Sequence, residues 1–469
     1  MPEPQSDVEM PTILPYPIPD TPYPKLSDPE FKAKLQELRQ SDNVTNWWYI
    51  ARTYLYFAVV IGMTVALYEY LRLNDVSWLW GVPVTLVAVV LVGAGQHQLG
   101  GLAHEGVHHI LFKNRRLNDL ASDWFAMFPI FGATHLYRLQ HLAHHQFVND
   151  PDRDPDVSQL QTSGHWLKFP VGKRQFVMTL VKQLWIPNLV RFMRVRAKYN
   201  ATGTDKNPYA KKGKQSKLAV LVGVGFILAL FFGLIGLYFL GDPVLLVAVP
   251  VAMWLAVCGV FWRMPAEKFN QSRLHPVVPL RYMTMLRLGY VMLVFTALAN
   301  VTFHTGAPAW LYYYLLWLLP LFTSYAFFMI LRQIVQHGNA DRSWLTNTRT
   351  FLVGRFINFA VFPMGQEYHL PHHMYATVPH YRLKELHDLL MRYPEYAEEA
   401  VVVEGYFLPP HTPQTRPTVL DVLGPEYARR NKDIYVDNTV IEDDELDEKD
   451  EILKQEAIVK VEGRQAHGE

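Results

Sequence analysis

His104-Glu-Gly-Val-His108-His109 follows an apolar run over residues 76–99, and two further clusters, His141-Leu-Ala-His144-His145 and His369-Leu-Pro-His372-His373, also lie just beyond apolar segments. On a helix, residues three and four apart share a face. His141, His144 and His145 can therefore turn their imidazoles toward one point, as can His104 and His108. The second and third clusters repeat one spacing although only 19 of 469 residues are histidine. Packing seldom needs three imidazoles on one face, because each must find its own partner, whereas a divalent metal satisfies several at once. The clusters thus predict a metal site at a membrane surface. The isolated His97, His135, His165, His275, His304, His387 and His467 read as ordinary polar or surface residues.

Working outward, half of the chain is hydrophobic (50%), 13% is aromatic and only 19% is charged. That is too few charges for a typical soluble domain. Apolar runs cover residues 47–73, 76–99, 218–240, 244–262, 283–303 and 310–331, each near the ~20 residues that span a hydrocarbon core. Gly241-Asp242-Pro243 splits one long run into two antiparallel spans. The expected fold is an all-α integral membrane protein with about six transmembrane helices and a cytoplasmic histidine-rich helical cap. Lys113, Arg115, Arg116, Lys268, Arg273, Arg281, Arg342 and Arg349 fall on one side of this topology, and the opposite loops carry no Lys or Arg. The asymmetry predicts that both termini and all three clusters are cytoplasmic.

Residues 1–45 read as a Pro-rich N-terminal arm, 46–395 as the membrane domain, and 396–469 as a C-terminal segment whose acidic tail, with Glu442-Asp443-Asp444-Glu445, is expected to be disordered. Residues 117–136, interrupted by Asp119, Asp123 and Pro129, read as interfacial or re-entrant rather than spanning. In residues 165–217 apolar side chains alternate with Lys and Arg, which fits either a helix lying on the membrane surface or a solvated helix packed on the cap. The single cysteine, Cys258, excludes a disulfide framework, a zinc ribbon or an iron–sulfur cluster. A net charge of +1 gives no reason to expect nucleic acid, and there is no P-loop or dinucleotide glycine fingerprint.

Imidazole alone leaves iron, zinc, copper and nickel open. The clusters supply at least eight histidines, whereas a tetrahedral zinc site takes about four. Two metal ions are implied. The Glu-x-x-His repeat of soluble carboxylate-bridged bundles is missing, so the site must be histidine-rich.

With these clusters and spans, residues 99–387 resemble the membrane fatty acid desaturase and hydroxylase superfamily. The first and third clusters, the latter continuing to Val378-Pro379-His380-Tyr381, are similar to boxes of acyl-lipid desaturases, while Asn149-Asp-Pro-Asp-Arg-Asp-Pro-Asp156 and Asn347-Thr-Arg-Thr350 resemble segments of carotene hydroxylases. The resemblance implies a di-iron centre without a bridging carboxylate, O2 as co-substrate and removal of hydrogen from an unactivated C–H bond. The expected activity is a fatty acyl desaturase. The alternative is a hydroxylase or ketolase of a carotenoid, sterol or sphingolipid, and a membrane metal carrier or zinc hydrolase is the remaining class. An external ferredoxin, or a b-type cytochrome with its reductase, would supply electrons. The implied ligands are His104, His108 or His109, His141, His144, His145, His369, His372 and His373, with His337 similar to the further histidine found upstream of the third box. Helix geometry favours His108 over His109. Outer partners are sought among Glu105, Asp123, Asp150, Asp154, Asp341 and Glu367, with Asp154 and Asp341 preferred. Gln333, one turn before His337, is similar to an amide that holds a metal-bound water in some relatives.

Overall fold

The computed structural model describes residues 25–427, apart from positions 203–206, 208, 210 and 212–215. The acidic tail and the start of the N-terminal arm lie outside the described residues. Six helices are long and apolar enough to cross a membrane: Thr45–Leu73, Trp78–Val107, Leu218–Leu240, Leu245–Arg263, Leu280–Thr305 and Ala309–His337. The fold is the all-α membrane architecture that the apolar runs predict. Leu55, Val59, Met63, Leu86, Leu221 and Phe232 are exposed on these helices, where acyl chains rather than water satisfy them. Trp47, Trp48, Trp78 and Trp80 sit exposed near span ends, the depth at which indole rings match the membrane interface.

Successive spans pair through short turns. Gly241 and Gly306 hold φ of 74° and 67°, a left-handed geometry that glycine adopts without a Cβ clash. Asp242 then accepts from Val244 N at 2.8 Å, starting the fourth span. Such turns leave little freedom in how neighbouring spans pack.

Two spans run well past their apolar sequence. The second continues eight residues beyond Leu99, carrying His104 with it. Its polar side chains are not in lipid: Gln96, His97 and Gln98 bond the carbonyls of Trp317, Ala360 and Phe359 at 2.8, 2.7 and 2.5 Å. Burial against neighbouring elements thus replaces the hydropathy signal that fades there. The sixth span contains a π-turn at Tyr314–Leu318 and a break at Thr323, then resumes as Ser324–His337. That last helix delivers His337.

Residues 117–136 form the end of the short helix Arg115–Ser122, a π-turn at Asp123–Met127 and a 3-10 turn at Phe128–Ile130, and do not span. The basic segment forms Lys173–Gln183 and Ile186–Thr202. Phe176, Leu180, Leu189 and Phe192 are buried in the main core with Ile330 and Val361. Val177, Met178, Val181, Leu184, Trp185 and Ile186 are exposed, so the segment packs on the cap and also presents an apolar edge. A small parallel pair, Thr350–Leu352 with Val402–Glu404, is the described β-structure. It ties residues after 395 to the cap, where Val403, Tyr406, Val419 and Leu423 join the main core.

The N-terminal arm contains a helix, Pro29–Leu38, with proline at its first position, where the missing N–H costs nothing. Phe31, Leu35 and Leu38 recur at helical spacing and pack on Leu370, Met374, Leu386 and Leu390. This helix therefore braces the third histidine cluster.

Candidate metal centre

Each cluster reaches the centre on its own helix. His104 lies in the last turn of the second span, His141, His144 and His145 on Thr134–Gln146, and His369, His372 and His373 on His369–Met374. Pro371 falls in the first turn of that last helix, where it blocks no bond. Nine histidines gather into two groups. His104, His108, His141, His145 and His372 form one, and His144, His337, His369 and His373 the other, with the ligand atoms of each group within 4.8 Å of one another.

The partition follows from helix geometry. In each repeated cluster the first and last histidines, four apart, face one group, while the middle one turns to the other. His141 and His145 join the five-histidine group and His144 the four; His369 and His373 join the four and His372 the five. The two groups touch through His145 and His373, whose rings stack at 4.2 Å.

The donor atoms have the spacing of ligands to a common ion. His145 Nε2 lies 3.0 Å from His141 Nε2 and 3.1 Å from His372 Nε2. His337 Nε2 lies 3.2 Å from His144 Nε2 and 3.0 Å from His369 Nε2, which is 3.1 Å from His373 Nε2. Two nitrogens each about 2.1 Å from one ion, at right angles, would lie about 3.0 Å apart. Neutral imidazole lone pairs facing each other at this range call for a cation between them. His104 Nε2 and His108 Nε2 are buried without any hydrogen-bond partner, as donors reserved for a metal would be.

Burial and neighbouring histidines hold His108, His141, His145, His369 and His373 well below the usual histidine range, and His372 down to about 3. Their lone pairs stay free for a metal at neutral pH. His144 goes the other way. Burial opposes its charge, but the Asp154 and Asp156 carboxylates raise it to about 9. Its Nδ1–H donates to both oxygens of Asp154 at 3.0 Å, leaving Nε2 aimed at His337.

Of the acids considered from sequence, Asp154 is the one hydrogen-bonded to a gathered histidine. It also caps the helix Pro155–Ser163 through Asp156 N at 2.9 Å. Glu105 Oε1 lies 3.6 Å from His104 Nδ1, and its Oε2 accepts from His380 N at 2.8 Å. Asp341 does not face a histidine; its carboxylate accepts from Ser343 N and Thr346 Oγ1 at 2.9 and 2.5 Å. Asp123, Asp150 and Glu367 bond Thr134, Arg153 and Asn358 respectively. Gln333 Nε2 is 3.5 Å from Asp156 Oδ2, and it lines a narrow cavity with His144 and His337.

His109 lies outside both groups. The second span ends at Val107, His109 takes a φ of 56°, and its ring turns to Arg138 Nη2 at 3.3 Å and Asp119 at 3.6 Å. The left-handed step after the helix end carries it away from the face that His104 and His108 share.

Two supporting residues escaped the sequence reading. His337 Nδ1 donates to the Asn347 carbonyl at 3.1 Å, and Asn149 Nδ2 bonds the carbonyls of Asp341 and Asn347 at 2.6 and 2.8 Å. Asn149 opens the Asp-rich stretch and Asn347 opens Asn347-Thr-Arg-Thr350, so the hydroxylase-like segments were the available signal. Backbone carbonyls leave no mark of their own in a sequence.

The sequence profile described as Fatty acid desaturase matches residues 78–281 and 260–403, which together hold every one of the gathered histidines. The chain belongs to the fatty acid desaturase family. It is similar to a dihydrorhizobitoxine desaturase of Bradyrhizobium elkanii, with 26% identity over 416 residues, 87% of this chain and 90% of that one. A Delta(5) fatty acid desaturase, fat-4, of Caenorhabditis elegans is 42% identical over 72 residues, 15% of this chain and 16% of that one. A Delta(8)-fatty-acid desaturase of Euglena gracilis is 34% identical over 74 residues, 16% of this chain and 18% of its own. Family membership and the two histidine groups agree on a membrane oxidoreductase of the desaturase type.

Proposed function

We propose that this chain is an O2-dependent desaturase that holds two irons and introduces a double bond into an acyl chain. The observation that carries the reading is the pair of buried histidine groups interlocked through shared clusters, with donor spacings that suit one ion each. His104, His108, His141, His145 and His372 would hold one iron and His144, His337, His369 and His373 the other. When bound, the irons supply the electron-transfer chemistry that lets O2 take hydrogen from an unactivated C–H bond.

The chain's own residues do the rest. Asp154 and the Asn347 carbonyl hold His144 and His337 by Nδ1–H, fixing the tautomer that leaves Nε2 a donor. His108, His141, His145, His369, His372 and His373, held neutral, add no protons that would compete with a metal, whereas His144 would give up to a metal the proton that the neighbouring carboxylates favour on that ring. Leu99, Leu102, Ala103 and Val107, all buried on the second span, exclude water beside the site. The balance is one saturated carbon–carbon bond, O2, two electrons and two protons giving one double bond and two waters. Both electrons come from outside. An external ferredoxin, or a b-type cytochrome with its reductase, is the donor we propose. The excess of Lys and Arg on the histidine side supports placing the centre and both termini in the cytoplasm.

The relative that matches across most of the chain is named for dihydrorhizobitoxine, whereas the fatty acid desaturases match over short stretches. Desaturation is the element they share. Expression in a host with a compatible electron donor, followed by lipid profiling and metal analysis, tests the reading. A new acyl double bond with about two irons per chain supports it. A hydroxylated product would move the assignment to a hydroxylase, and zinc alone would remove it from oxygen chemistry.

A further inference from the structure

Beside the metal centre lies a cavity of about 190 Å³ that is not lined as a simple hydrocarbon tunnel. Three arginines, Arg196, Arg287 and Arg332, face it from three different elements: the cap helix Ile186–Thr202, the fifth span and the sixth. Tyr137, Tyr325 and His97 complete its polar wall. Arg332 is 7% exposed, and its Nε has no hydrogen-bond partner. Arg196 lies against the Tyr137 ring, 5.5 Å from its centroid. Among the described residues none of the three forms an ion pair with a carboxylate; Asp156 acts on Arg196 and Arg332, and Asp123 on Arg287, only at longer range.

The cavity reaches the chemistry directly. Ala103 in its wall precedes His104, and the Tyr137 ring is 5.5 Å from that of His141. The Arg332 charge acts on His144 and His369 as well. A buried guanidinium without an anion is costly, and two metal ions nearby would add repulsion. Residues that serve packing alone would be cheaper as leucine or methionine. The arrangement makes sense when an anion enters. Guanidinium offers paired N–H donors matched to a planar carboxylate, and tyrosine hydroxyls can add further bonds to it.

Resting on the desaturase reading, we infer that the substrate enters as a free carboxylate held by Arg332, Arg196 and Arg287, not as an esterified chain. The hydrocarbon then extends from this anchor toward the histidines, and the distance from carboxylate to centre sets which carbon is attacked. Two sources share this chemistry: a long-chain free acid from the bilayer and a small water-soluble carboxylic acid.

The test is thermal unfolding of the purified iron-loaded protein in detergent with palmitate, octanoate and the methyl ester of each. At least one free acid should raise the melting temperature by several degrees while its ester does not. A palmitate response assigns a lipid source, and an octanoate response without palmitate assigns a small acid. Arg332→Gln and, separately, Arg196→Gln should weaken the binding of that acid by about tenfold or more, the loss of one charge-assisted pair, with the iron content unchanged. Equal shifts from acid and ester, no shift from either acid, or full binding by both variants would overturn the inference. If Arg332→Gln does not fold, Arg196→Gln and Arg287→Gln carry the same test. Desaturation of an esterified chain at the original rate by these variants, with both irons present, would sink this inference while leaving the proposed function intact. Zinc in place of iron would sink the function, and the same acid-against-ester comparison on the zinc-loaded protein would still read the carboxylate site.

Discussion

The two histidine groups are built from the same clusters yet supported differently. The five-histidine group takes two four-apart pairs, His104 with His108 and His141 with His145, plus His372. The four-histidine group takes one such pair, His369 with His373, plus His144 and His337 from separate helices. In the four-histidine group His144 is held by Asp154 and His337 by Asn347. Unpartnered Nδ1 atoms occur in both groups, on His104, His145 and His372 of the larger and on His369 and His373 of the smaller. The held rings are therefore the two that the smaller group draws from outside its own four-apart pair, His144 and His337.

Removing one ligand from each group is the severest test of that contrast. His369→Ala leaves three histidines in its group and should reduce iron to about one per chain. His141→Ala leaves four and should retain more metal. Both should lose activity beyond the about 10–100-fold typical of an outer partner. Equal iron contents, measured by elemental analysis of the purified variants, would break the comparison.

The outer partners come next. Asp154→Asn should weaken metal binding or turnover by about 10–100-fold, because an amide cannot accept from His144 with both oxygens as the carboxylate does. Glu105→Gln should do much less, since its carbonyl oxygen can still accept from His380 N. Metal affinity and product yield for the two variants should rank in that order. The reverse ranking would mean that His104 depends on Glu105 more than the 3.6 Å separation implies.

His109→Ala should give the smallest change. It lies in neither group, so iron and turnover should remain near the original values, with a stability cost of about 1 kcal/mol from its lost contact with Arg138. Loss of an iron on this substitution would return His109 to the ligand set.

Much of this arrangement was legible in the chain because period sets direction. The four-apart pairs needed only helix geometry, and the span count needed only runs of apolar residues. The division of each cluster between two groups was not legible, since it depends on which helices face each other. His337 stood alone in sequence and was found through resemblance. His108 and His109 could be ranked only by assuming that the helix continued; its end at Val107 and the left-handed His109 leave His108 with the gathered histidines and His109 outside them. Asp341 failed as an outer partner because sequence proximity placed its backbone, not its carboxylate, near the site. The arginine cavity had no sequence signature at all. Its three guanidinium groups come from elements far apart in the chain, and each alone looks like one more basic residue.

The helix Pro29–Leu38 has a consequence for how the protein is made. It emerges early in synthesis, yet Leu370, Leu386 and Leu390, on which it packs, are translated only after all six spans. The third cluster contributes His372 to the five-histidine group and His369 and His373 to the four-histidine group, so neither is complete until that late segment has been made, and the smaller group has only two of its four members before then. The segment before the first span and the segment after the third cluster then close on each other like a clasp, Leu26 N bonding Glu395 at 3.4 Å. Completion of both groups is therefore a late event in the life of the chain, following synthesis of the six spans rather than preceding it.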